Sequence, residues 1–415
     1  MRIKYALLGI SVLIAACGSV ATPQAGSGDK LYQAMSKDHR AFISVIDSRS
    51  HQEVRRLPLG VPSVDWRHLY SLDSRYLVDT DPLTGATKGR LDLQHSYTLP
   101  NATATGMPGG LSQNGRWIVV QRYDMPDGAE VPSASQFVLV DTSTMHMARR
   151  VDLQGFFDFD AISNDGNRLY LIQFLNGKEY YVRLYDTNAG KLDPNPVVDK
   201  NEGGEAMAGL RLSGVASTNG GWLFSMYVRE SSNPFVHALS LTDPLAFCLD
   251  LNGGGFSSDG NAMQWSLAMS PAGTDVYAAN LASGDVARIT MHDGTPAIDK
   301  TARIPRAGAT AGLIKSVSAK EFGGNTAVVG VDGRTLAVAG YPGVVWLDTS
   351  TLAVSHRALT DWRITSLALN PSGDNLYALS DGGRIAQLSM SSASVVGTFD
   401  LKGGLPMALM RVAAA

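Results

Sequence analysis

The chain has 415 residues, 44% of them hydrophobic, with two cysteines and a formal charge of −3 at pH 7. A mildly acidic, dispersed balance without a Lys/Arg run excludes the electrostatic footprint of a nucleic-acid binder. Length and apolar content suffice to bury a large core by side-chain packing alone.

At the N-terminus, Arg2 and Lys4 precede an uncharged stretch from Tyr5 to Ala16. This has the length of a signal-peptide apolar region and is too short to span a bilayer as a helix. Ile14-Ala15-Ala16-Cys17 follows at once. It resembles the bacterial lipobox, in which an aliphatic residue and two small ones precede a cysteine that is acylated and becomes the new N-terminus. The resemblance implies that residues 1–16 are a signal peptide and that Cys17 carries the lipid holding the protein to the membrane. Gly18 stands where an Asp would retain such a lipoprotein in the inner membrane, which implies the outer membrane if the source is Gram-negative. With Cys17 acylated, no disulfide is available to the fold. Residues 17–29, rich in Gly, Ser, Ala and Pro, read as a flexible tether, and residues 30–415 as one domain. No later segment offers the roughly twenty unbroken apolar residues of a membrane helix.

From Lys30 onward the chain repeats. SNDGNRLYLIQ from Ser163, SPAGTDVYAAN from Ser270 and NPSGDNLYALS from Asn370 share a polar residue, a turn ending in Gly, two spacers, an aliphatic residue and Tyr. Weaker copies start at Ser112, Ser217 and Val331, and strand-only copies lie around Trp66 and Lys30. Asn-Gly and Asp-Gly pairs supply the positive φ of a tight turn, and the alternating aromatic and β-branched residues that follow are strand chemistry. A second motif trails each first one: an alternating strand closed by Asp-Thr, as at Asp141-Thr142, Asp186-Thr187 and Asp348-Thr349. The copies recur about every fifty residues, the period of four-stranded propeller blades. A sustained 3.6-residue apolar period is absent after Lys30, which excludes a helical solenoid. The expected fold is all-β, a single propeller of seven or eight four-stranded blades. Its second copy has a poor inner strand around Val61–Asp65, which leaves the count open.

Every inner strand precedes its Gly turn, and the first copy lacks one. Leu405–Val412 is a matching strand with no turn after it, so the C-terminal strand is expected to enter the first blade and close the ring. The copies resemble the YVTN-type, WD40-like β-propeller repeat, most closely at Ser270-Pro271-Ala272-Gly273 with Val276-Tyr277 and at Val344–Thr351. The motif is structural. The family it implies includes surface-layer and periplasmic proteins as well as lactone-hydrolysing enzymes.

Catalytic motifs are missing from the sequence. There is no Gly-x-Ser-x-Gly elbow and no His-Glu-x-x-His. The eight histidines are scattered without metal-ligand spacing, and six tryptophans do not recur at blade spacing as the docking motif of a quinone propeller would. Asp158-Phe159-Asp160 with Asp165-Gly166 suggests an acidic calcium loop, but the Gly follows the last Asp directly and no Glu closes it, so an inner strand and turn are expected. Neither a metal nor a cofactor is predicted. Position says more than motif, because loops entering inner strands and loops joining second and third strands share one face around the channel. Four of these are long: Arg122–Gln136 with Tyr123, Asp124, Asp127 and Glu130; Asn195–Gly209 with Glu202 and Glu205; the Gly-rich Leu251–Gln264; and Arg303–Asn325. The first two are expected to contribute no strand. Trp265, Trp362 and Arg363 sit at inner strands on the same face, where they either bind a ligand or pack blade on blade. These residues form the candidate ligand or partner face. The reading is a cell-envelope binding or scaffold module for a protein or glycan partner; the alternative is a lactonase-like or other hydrolytic propeller.

Overall fold

The computed structural model describes residues 28–100, 109–175, 179–201, 204–257, 260–305 and 324–414. Cys17, Glu202 and most of the Arg303–Asn325 segment lie outside these residues. Among them no helix is long and apolar enough to cross a membrane.

The repeated motif builds its own hairpin. After most inner strands the motif's first polar side chain turns back to accept a backbone N–H at the start of the next strand. Ser112 Oγ accepts from Trp117 at 3.0 Å, Ser163 from Arg168 at 3.0 Å, Ser217 from Trp222 at 2.9 Å and Ser270 from Asp275 at 3.0 Å, while Asn370 Oδ1 accepts from Asn375 at 3.1 Å. The turn glycine is required by more than its positive φ. At Gly166, with φ +74°, a Cβ would stand 2.5 Å from the Trp117 ring. The Asp-Thr motif is the partner of that turn. The Thr142, Thr187 and Thr349 hydroxyls each donate at 2.7 Å to the carbonyls of Gly115, Gly166 and Gly333 in their own blades. The Asp then caps its own turn. Asp348 accepts from the Ser350 and Thr351 side chains and backbone, which hold its carboxyl down to about 2.

Eight antiparallel sheets result, arranged in a ring as blades. Blade 1 has Leu405–Ala413 innermost, then Lys30–Lys37, Arg40–Asp47 and Glu53–Pro58. Blade 2 runs from Val61–Pro62 to Thr87–Asp92, and the two residues of its inner strand pair with Tyr70 and Leu69. The count is therefore eight. In blade 3 the inner strand shrinks to a single bridge, Leu111 with Ile118, beside Trp117–Asp124, Ala134–Asp141 and His146–Gln154. Blade 4 spans Phe157–Pro196 and blade 5 Leu210–Asp250. Blades 6, 7 and 8 open on Ser266–Met269, Ala327–Val329 and Ile364–Leu369.

The C-terminal strand closes the ring as expected. Leu31 pairs with Val412, Gln33 with Leu409 and Ser36 with Leu405. Ser366 of blade 8 stitches this strand to its neighbour, donating to the Leu409 carbonyl at 3.1 Å and accepting its N–H at 3.0 Å. The motif tyrosines, fully buried at Tyr32, Tyr70, Tyr170 and Tyr377, reach into the following blade. Tyr377 donates to Asp29 at 2.9 Å and Tyr32 to the Pro82 carbonyl at 3.3 Å. Apolar clusters accordingly fill the spaces between adjacent blades, as where Tyr170 and Val182 of blade 4 meet Leu223 and Leu239 of blade 5.

Two boundaries differ from the sequence expectation. Gly28 and Asp29 belong to the ring rather than to the tether: Gly28 N–H donates to Asp47 at 3.0 Å and Asp29 accepts from Asn370 at 3.1 Å as well as from Tyr377. The two long segments do contribute strands. Tyr123 and Asp124 extend the second strand of blade 3 and Ala134–Gln136 its third, because the hairpin there is longer, not looped out. Within Asn195–Gly209, Val198–Asp199 adds a parallel edge to blade 5 at Leu245 and Ala246, and Met207–Ala208 pairs with Glu179 and Tyr180 of blade 4. Two-residue strands carry too short a period to read from sequence.

Candidate functional site

Strand direction gives the ring two faces. The Gly turns and Asp-Thr turns lie on one, the turn face; the hairpins joining second and third strands lie on the other, the loop face.

On the loop face the inner strand of blade 4, Phe157–Ile162, presents two carboxylates to its two neighbours. Asp158 turns to blade 3, where one of its oxygens accepts from Gln121 Nε2 at 2.7 Å and from the Tyr123 hydroxyl at 2.9 Å. Burial pushes the Tyr123 hydroxyl up, and the Asp158 charge adds to this, so it remains a donor at neutral pH. Asp160, 2% exposed, occupies a bulge in the strand and turns to blade 5, where Arg211 Nη1 donates to it at 2.7 Å. Burial pushes the Asp160 carboxyl up against the opposing pull of Arg211. Burial works against the Arg211 charge, and Tyr227, Asp160 and Asp158 override it. Among the described residues Asp160 Oδ2 finds no hydrogen-bond partner, and the Tyr180 and Tyr227 hydroxyls face each other beside it. The expected inner strand and turn are found at Phe157–Ile162 and at residues 163–166; among the described residues no group of three His, Cys, Asp or Glu is arranged to hold a metal.

An aromatic ladder links these carboxylates across three blades. Tyr123 meets Phe156 edge-on at 5.5 Å, Phe156 stacks on Phe174 at 4.5 Å, and the series continues through Tyr180 and Tyr227 to Phe235. Above it the loop face exposes large apolar side chains: Met125 and Val131 in the blade 3 hairpin, Leu175 in that of blade 4, and Leu210 where the chain enters blade 5, each 44–54% exposed. All four lie on the loop face of three adjacent blades, and exposed apolar side chains shared by one face offer an interaction surface.

Of the residues singled out from the sequence, Tyr123 joins this site, and Asp124, Asp127 and Glu130 stand exposed on the same hairpin. Glu205 is exposed on the segment linking blades 4 and 5. Trp265 is buried in the apolar cluster between blades 5 and 6, so it packs. Trp362 and Arg363 are half-buried at blade 8; Arg384 lies 4.5 Å over the Trp362 ring, and Arg363 lies over Tyr341 and within 3.6 Å of Asp381. Those two also serve blade packing, and blades 1 and 2 separate them from the blade 3 hairpin. Sequence reasoning did not find the Asp160–Arg211 pair or the apolar residues around it.

On the turn face a channel cavity of about 630 Å³ opens among the inner strands.

No protein-family profile matches the chain, and no curated protein matches it. Solved structures do. Dihydro-heme d1 dehydrogenase NirN in complex with DHE is similar at a TM-score of 0.53 and 13% identity, over 91% of this chain and 74% of that one. The periplasmic gluconolactonase PpgL of Pseudomonas aeruginosa is similar at a TM-score of 0.42 and 15% identity, over 92% and 98% of the two chains. Hydrazine synthase of Kuenenia stuttgartiensis follows at 0.43 and 15%, over 77% and 96%. The chain is an eight-bladed β-propeller. At these identities the likeness is one of fold.

Proposed function

We propose that this propeller, of the YVTN type its repeats resemble, is a cell-envelope lipoprotein that binds a protein or glycan partner on the loop face of blades 3–5. The observation that carries the reading is the exposed apolar group Met125, Val131, Leu175 and Leu210 over an aromatic ladder, beside half-buried Asp158. The attachment geometry supports it. Gly28 and Asp29 are fastened to the turn face, through Asp47 and Asn370. A lipid on Cys17, eleven residues before Gly28, is at most about 40 Å away along an extended chain. Anchoring at that face directs the loop face away from the membrane.

The test uses detergent-solubilised envelope and a glycan array as partner sources. Met125→Asp, Val131→Asp and Leu175→Asp together are expected to lower retention at least about tenfold with an unchanged melting temperature, since all three side chains are exposed. Val331→Asp, exposed on the turn face, is expected to bind as the parent does. Cys17→Ala is expected to leave the membrane fraction yet still bind. Retention that survives the triple change and fails with Val331→Asp overturns the assignment. Turnover of a lactone by the purified protein, abolished by Asp158→Asn, would replace it with the lactonase-like alternative.

A further inference from the structure

The cavity on the turn face differs in chemistry from the loop face. Inner strands of the ring contribute aliphatic walls, among them Val61, Val215, Met269, Leu367 and Leu409. Its volume, about 630 Å³, is that of a small-molecule site. Among the described residues one cation lines it, Arg411, on the strand that closes the ring. The Arg411 guanidinium lies 5.2 Å from the Trp66 ring and donates to the Val64 carbonyl at 3.3 Å. Among the described residues no carboxylate pairs with it. The adjacent acid, Asp65, is already engaged: it accepts from Ser63 Oγ at 2.6 Å and from the Arg67 N–H at 3.1 Å, and its other oxygen lies 3.8 Å from Arg67 Nε. Burial weakens the hold of Arg411 on its proton, against the smaller opposing pull of Tyr32 and Asp65.

We propose that this cavity binds a straight-chain carboxylate of the medium-chain fatty-acid class, its head on Arg411 and its chain among the aliphatic walls. A single planar guanidinium matches a monocarboxylate, which it can hold by two parallel hydrogen bonds, whereas a phosphate dianion calls for further cations, and among the described residues the walls hold none. The largely apolar lining of this open channel favours a flexible chain over a flat polar ring. The site is independent of the partner surface, being on the opposite face.

The experiment uses the full chain with Cys17→Ala, which carries no acyl group of its own, and 2-bromododecanoate, whose heavy atom sits beside the carboxylate. Saturable quenching of tryptophan emission at one ligand per chain is expected, and Trp66→Phe is expected to remove it. Arg411→Gln should weaken binding about tenfold or more, and Arg411→Lys, which keeps the charge but not the two parallel hydrogen bonds, should recover only part of it. Unbrominated dodecanoate should displace the probe, with dodecanol at least about tenfold poorer. Ala216→Phe, which places a ring into the cavity, should abolish binding in a protein that melts as the parent does. No saturable quenching, equal affinity in Arg411→Gln, or dodecanol competing as well as dodecanoate would overturn the proposal.

Discussion

Replacing Asp160 with Ala is expected to cost about 3–5 kcal/mol of stability, the penalty for leaving one member of a buried ion pair uncompensated. Arg211, with 14% of its side chain exposed, would keep its charge with no carboxylate beside it, since an arginine does not deprotonate in this range. Arg211→Met is expected to cost as much at pH 7 but not at pH 4. The reason is the sign of the shift. With Arg211 gone, burial raises the folded-state pKa of Asp160 further, so the folded form favours the neutral acid. Stability lost to that buried charge is then recovered as pH falls toward the unfolded value near 4. Asp160→Ala shows no such recovery. The double variant Asp160→Leu with Arg211→Met removes both charges, and its loss is expected to be smaller than the sum of the single losses by about 2 kcal/mol or more. Denaturant unfolding at the two pH values checks all three. Additive losses with no pH dependence would mean that the two groups are not the coupled pair described here.

Truncation after Lys402 is expected to abolish the cooperative melt. The lost strand places Ala408, Leu409 and Val412 at 1–2% exposure, and its register covers blade 1 from Lys30 to Ser36. Burial of Leu409 and Val412 alone contributes about 3–6 kcal/mol. A typical fold has about 5–15 kcal/mol in all. Removal also unpairs Ser366 from the Leu409 backbone and leaves an open edge beside Leu31 and Tyr32, which invites association between chains. Calorimetry and light scattering would show loss of the transition together with aggregation. A truncated protein melting at the parental temperature would refute closure by this strand.

The blades were legible in sequence because each element of the motif does a local job. Ser163, Gly166, Tyr170 and Thr187 bond or pack within one hairpin, or against the next blade in the same way every time, so the physics repeats with the letters. Blade 3 was legible despite an inner strand cut to one bridge, because Ser112 and Gly115 still form the turn. The face carrying Tyr123 was also legible, as loop length follows from the repeat. Partnership between faces was not. Asp160 and Arg211 stand fifty-one residues apart and meet because inner strands of adjacent blades run side by side. Met125 and Val131 are apolar letters in a polar segment, Leu175 and Leu210 stand at strand ends, and only the ring brings them to one face. The turn-face cavity likewise takes one or two residues from each of several blades, which leaves no period to read. Trp265, Trp362 and Arg363 were ambiguous in sequence because an aromatic or an Arg at an inner strand serves packing and binding equally well, and burial decides.

Photo-crosslinking in the intact envelope tests the central claim most directly. A crosslinking amino acid at Met125 or Leu175, on the loop face, is expected to give a discrete adduct that the same group at Val331 or Ser350, on the turn face, does not. Adducts confined to Val331 and Ser350, with none from Met125 or Leu175, would contradict the account.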